Sequence, residues 1–163
     1  TDPRAHLPGL ARSLNNLANH QSDVGDRAAA LTSATEAVTH YRTLADTDPR
    51  AHLPDLARSL NNLANHQSGR GKWEAALASS TEAIGIRRRL ADAAPTTHLP
   101  DLAEALDNLS GRQAEHGDRA AALTSATEAV THYRTLADTN RAAYLPRLAG
   151  ALNNLATRQA EHG

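Results

Sequence analysis

Leucine and alanine fall along this chain in a pattern that repeats. From Leu7 the stripe runs Leu10, Leu14, Leu17 and Ala18, with Gln21 continuing it. These spacings put the residues on one face of a helix of about 14–16 residues. Pro8 fits the first turn, where its missing N–H costs nothing. Asp23-Val24-Gly25-Asp26 breaks the pattern: Gly25 can end a helix in the left-handed conformation and Asp26 can cap the next. A second helix is expected from Arg27 to Ala45, with Ala30, Leu31, Ala34, Ala37, Val38, Tyr41 and Leu44 on one stripe. Asp46-Thr47-Asp48-Pro49 reads as the linker that stops it.

The same helix pair then recurs. LPGLARSLNNLA from Leu7 returns as LPDLARSLNNLA from Leu53, LPDLAEALDNLS from Leu99 and LPRLAGALNNLA from Leu145, a period of 46 residues without slippage. A fixed period of that size means stacked supersecondary units, each touching only its neighbours. The units run over about 2–47, 48–93 and 94–139, with a half unit at 140–163 that holds a first helix only. The expectation is therefore an all-α chain, one array of seven helices in antiparallel pairs, with no strand. Asp2-Pro3 matches Asp48-Pro49 and reads as a helix start. The segments from Asp26 to Thr47 and from Asp118 to Thr139 are identical over 22 residues. The second unit departs at Gly85, inside its second helix, and at Arg87-Arg88-Arg89, which replaces Tyr41-Arg42-Thr43.

Composition sharpens this picture. The aromatic residues are Tyr41, Trp73, Tyr133 and Tyr144, and there is no Phe or Met. Such a core must be built from Leu, Ala, Val and Ile, and small side chains fill it only if the helices approach closely. A net charge of −1 gives no basis for a polyanion-binding role. There is no cysteine, so no disulfide, thiol nucleophile or thiolate metal site is expected. No apolar run approaches the ~18 residues of a membrane span and no signal peptide is evident, so the expectation is a cytoplasmic protein. Arginine-rich, lysine-poor usage suggests a bacterial source. Thr1, just before a repeat boundary, suggests a segment cut from a longer protein.

The helix pair resembles the tetratricopeptide repeat. The second unit carries Leu60, Leu63, Ala64, Gly71, Trp73, Ala76 and Ala83 at that motif's spacings; the first carries Leu14, Leu17, Ala18, Gly25, Ala30 and Ala37. The third carries Leu106, Leu109, Ser110, Gly117, Ala122 and Ala129, and the last helix Leu152, Leu155 and Ala156. Arg27 and Arg119 stand where the motif has an aromatic residue. The LNNLA core and the long period look most like the long repeats of kinesin light chains and of many bacterial regulatory proteins. The resemblance implies a right-handed superhelix and a peptide-binding concave face lined by the first helix of each unit. Carried over residue by residue, that face comprises Arg12, Asn15, Asn16, Asn19, Arg58, Asn61, Asn62, Asn65, Glu104, Asp107, Asn108, Asn153 and Asn154.

Asparagine is a poor helix-interior residue, so seven at two adjacent repeat positions need a reason. One is that their amides meet the backbone of an extended peptide, donating and accepting at once. The other is that one of each pair bonds a neighbouring turn and fixes the stacking. Arg12 and Arg58 precede Glu104 and Asp107, so the face also changes sign along the array. The histidines recur at the repeat period, as His6, His52 and His98 do, rather than at ligand spacing, so neither metal nor cofactor is expected. No nucleophile motif or phosphate loop is present, and enzyme activity is not expected. The leading function is a protein-interaction module that holds a peptide or helix of a partner protein within a larger regulatory protein. The alternative is a structural spacer, or a rod assembling head to tail. Neither a nucleic-acid nor a membrane partner is expected.

Overall fold

The computed structural model describes residues 6–162, so the expected helix start at Asp2-Pro3 and the closing Gly163 lie outside the described residues. Among the described residues there are seven α-helices and no strand. They are α1 (Leu7–Asp23), α2 (Arg27–Thr47), α3 (Pro49–Ser68), α4 (Trp73–Ala93), α5 (Pro95–Glu115), α6 (Arg119–Thr139) and α7 (Arg141–His162). Odd-numbered helices are the first of each repeat and even-numbered ones the second.

The turn from first to second helix is built the same way each time. Gly25, Gly71 and Gly117 sit at φ 86, 69 and 89°, where a side chain would be strained. In the first turn the amide of Asp26 donates to the carbonyl of Gln21 and that of Gly25 to Ser22, which closes the helix end. The side chain of the same glutamine locks the pair: Ser33 Oγ donates to Gln21 Oε1 at 2.8 Å, and Ser79–Gln67 and Ser125–Gln113 repeat the bond at the same length. Asp26 and Asp118 cap the following helices by accepting from the amides of Ala29 and Ala121.

The turn from second to first helix is shorter than the sequence pattern suggests. Only Asp48 separates α2 from α3, Ala94 separates α4 from α5, and Asn140 separates α6 from α7. The first helix therefore starts four residues before Leu53, and Pro54, Pro100 and Pro146 lie inside helices rather than in their first turns. Of the four Leu-Pro prolines, Pro8 is the one in a first turn; in α3 and α5 the first turn holds Pro49 and Pro95 instead. Caps support two of the three early starts. Asp48 and Asn140 accept from the amides three residues on, Ala51 and Ala143, and pull the helix back to that point.

The chain divides into two compact units, Thr1–Ile86 and Arg87–Gly163, and the boundary falls inside α4 rather than between repeats. The early part of α4 bonds within the first unit: Ser79 reaches Gln67, and Glu82 pairs with Arg42 of α2 at 2.6 Å. Its late part bonds within the second, where Arg87 donates to the carbonyl of Asp101 and Arg88 pairs with Glu128 of α6 at 2.7 Å.

Within each unit the helices meet through small residues. Ala30, Ala34, Ala37, Ala76 and Ala83 are buried in the first unit, and Ala122, Ala126 and Ala129 in the second. The second unit has a cluster of Ala103, Val130, Tyr133, Leu136 and Ala151, against which Leu99, Tyr144, Leu148 and Leu155 pack. The threonines on the outer faces of α2 and α6, such as Thr35 and Thr127, bond back to the carbonyl four residues earlier. That satisfies their hydroxyls and leaves those faces chemically quiet.

The three short connections share one backbone conformation, with φ/ψ of −137/88 at Asp48, −148/78 at Ala94 and −147/84 at Asn140, yet Ala94 makes no capping bond. Ala94→Asp is expected to stabilise the chain by ~1 kcal/mol in urea unfolding. A midpoint unchanged or lowered would show that capping does not set this helix start.

Candidate functional site

In each unit two first helices flank a tyrosine of the intervening second helix, and charged side chains from both first helices act on its phenol. In the first unit α1 and α3 form the walls and Tyr41 of α2 the floor. In the second the walls are α5 and α7 and the floor is Tyr133 of α6. The two tyrosines are two repeat periods apart, inside the segment that is identical in α2 and α6. Both are buried, at 1% and 4% exposure.

In the first groove Arg58 pairs with Asp55 on the same helix. Tyr41 makes no hydrogen bond of good geometry through its hydroxyl. Burial raises its pKa, with Asp55 adding to the rise, while Arg58 and Arg12 oppose it. Asn15 does not line the groove. It is 1% exposed, and its Oδ1 accepts from Ser59 Oγ at 3.0 Å, tying α1 to α3. This asparagine therefore fixes stacking, as the second of the two sequence readings has it, but against a neighbouring helix rather than a turn.

The second groove is open. A cavity of about 490 Å³ is lined by Glu104, Asp107, Tyr133, Arg147, Gly150, Ala151, Asn153 and Asn154. The room comes from Gly150, which stands at the repeat position of Arg12, Arg58 and Glu104. A Cβ built there would meet nothing within 4 Å. Across the mouth Arg147 pairs with Glu104 at 3.5 Å, both half-exposed. Asp107 stands where the other units have asparagine, and its two oxygens accept from Asn154 Nδ2 at 3.1 and 3.0 Å. Ala151 replaces Ser59 here and cannot donate, so the bond that ties α7 to α5 comes from Asn154 instead.

Of the residues expected on the binding face, the second unit thus brings Glu104, Asp107, Asn153 and Asn154 together around one cavity. Arg12 and Arg58 act on Tyr41 in the first unit. Asn16, Asn19, Asn65 and Asn108 are exposed on their helices, and Asn61 and Asn62 are half-buried. The sequence reading missed Tyr41 and Tyr133 as groove floors, because they lie on the apolar stripe of the second helix and read as core. It also missed Asp55, Arg147 and Gly150. Their repeat position relative to Arg12 would have placed them beside it. Among the described residues no group of three or more His, Asp or Glu side chains is placed to hold a metal ion. No described helix is long and apolar enough to cross a membrane.

The walls also set the electrostatics of the floor. Burial, then Glu104, pushes the Tyr133 phenol up to about 12; Asp107 adds to the rise and Arg147 opposes it. An unfolded tyrosine ionises near pH ~10. The stability this site contributes is therefore fully present below that pH and is lost as the pH rises from ~10 towards 12. Absorbance titration at alkaline pH is expected to show Tyr133 ionising above Tyr41, with Asp107→Asn lowering the Tyr133 value. An unchanged value in that variant would mean that Asp107 does not act on the phenol.

No protein-family model matches the chain, and no curated protein matches it either, so what the grooves accept follows from their own chemistry.

Proposed function

We propose that the chain is a tetratricopeptide-type array, with the right-handed superhelical course of that family, and that it is a binding module rather than an enzyme. It holds an extended segment or a helix of a partner protein against its first helices, as part of a larger bacterial regulatory protein. The observation that carries this reading is an arrangement made twice, two first helices flanking a buried tyrosine with charged side chains around it, which opens into a cavity between α5 and α7. The cavity of about 490 Å³ between α5 and α7 falls in the range of ligand sites. Asn153, exposed on its rim, can pair with both donors and acceptors of a peptide backbone.

Peptides selected from a random library on the full chain, then mapped by amide chemical shifts, test this. The expected result is perturbation of Glu104 to Asn108 and Arg147 to Asn154, with Asn153→Ala weakening binding roughly two- to tenfold at unchanged melting temperature. Binders that map instead to the outer threonine faces, or a selection that yields none, would overturn it.

Four leucines favour a second reading, self-association. Leu10, Leu17 and Leu152 are 37–45% exposed, whereas their repeat counterparts Leu56, Leu63 and Leu106 are buried; Leu145 is 46% exposed, whereas its counterparts Leu53 and Leu99 are half-buried. A chain with such faces on α1 and α7 associates head to tail, as a spacer or rod, because the two faces differ and the contact does not close on itself. Sedimentation from micromolar to millimolar concentration is expected to show mass growing with concentration, and Leu152→Glu to abolish the growth. A strictly monomeric mass at millimolar concentration ends this reading.

A further inference from the structure

The two grooves form an internal comparison, because their floors come from identical segments and only their walls differ. In the α1–α3 groove the charged groups are Arg12, Arg58 and Asp55, a sum of +1. In the α5–α7 groove they are Glu104, Asp107 and Arg147, a sum of −1. Glu104 already faces Arg147. Among the described residues Asp107 is met by the neutral amide of Asn154, which orients the carboxylate without cancelling its charge. The uncompensated negative charge therefore stands on the cavity wall, beside a buried tyrosine, in space that Gly150 leaves open.

Resting on the reading of these grooves as peptide sites, we propose that the α5–α7 cavity takes the cationic side chain of an arginine or lysine in the bound partner segment. Asp107 holds the cation, Glu104 assists at the mouth, and the Tyr133 hydroxyl lies at the base. The buried phenol supports this, since Glu104 and Asp107 both disfavour its anion, and the field that does so favours a cation in the same place. The groove does not suit a carboxylate: its one cation, Arg147, is engaged by Glu104, and an anion would have to approach Asp107.

The test titrates the full chain with three probes, N-acetyl-arginine amide, N-acetyl-leucine amide and N-acetyl-glutamate amide, and follows side-chain amide signals of Asn153 and Asn154. Saturable shifts with the arginine probe, stronger than with the other two, are expected. Asp107→Asn should weaken the arginine response roughly two- to fivefold, and adding Glu104→Arg should remove it. Both replacements are residues that other units carry at those positions, Asn15 and Arg12, so the fold tolerates them. Saturable shifts with no preference for arginine would overturn the cation assignment while leaving the groove reading in place. Silence with all three probes would overturn both.

Discussion

Close approach through alanine is the constraint on which the rest depends. The helices have no phenylalanine or methionine to span a gap, so pairs must meet where side chains are small. Ala30, Ala76 and Ala122 are fully buried at equivalent positions, one per repeat. Once second helices lie that close, the first helices of adjacent repeats are brought side by side. Asn15 then reaches Ser59, and Asn154 reaches Asp107. The grooves are what remains between first helices whose spacing is set from beneath.

A second constraint fixes the angle of each pair. The glutamine that ends a first helix closes the turn with its backbone carbonyl and takes a serine hydroxyl from the second helix with its side chain. One residue thus ties chain reversal to helix pairing. The left-handed glycine after it is what lets the next amide turn back to that carbonyl. The same device at Gln67 and Gln113 keeps every pair alike, so differences between units must come from residues outside it.

Much of this was legible in the residues themselves. The period, the helix pairs and the glycine turns follow from apolar spacing and from the glycines' place in it. The start of the first helix was not. A proline in LPDLA reads as a first-turn residue, whereas the helix starts four residues earlier, capped at Asp48 and Asn140 and uncapped at Ala94, and leaves Pro54, Pro100 and Pro146 inside it. Periodicity cannot weigh a cap against an internal proline. The division inside α4 was equally hidden, since it reflects which partners each half of that helix bonds. Asn15 shows the limit for side chains: two asparagines in sequence differ by one helical step, and only packing decides which turns inward.

The distribution of differences between repeats locates the chemistry. Helices α2 and α6 are identical in sequence, and they supply the packing and the tyrosine floors. The wall positions of Arg12, Asp55 and Arg58 become Glu104, Arg147 and Gly150, and the position of Asn15, buried between α1 and α3, becomes Asp107 on the cavity wall. Each exchange alters charge or room at the groove surface, and none touches the alanine contacts or the glutamine lock. A side chain at the rim of a solvated groove can change sign at little cost in stability, whereas one at a helix crossing cannot change size. Second helices therefore set where the grooves lie, and first helices set what each groove can hold.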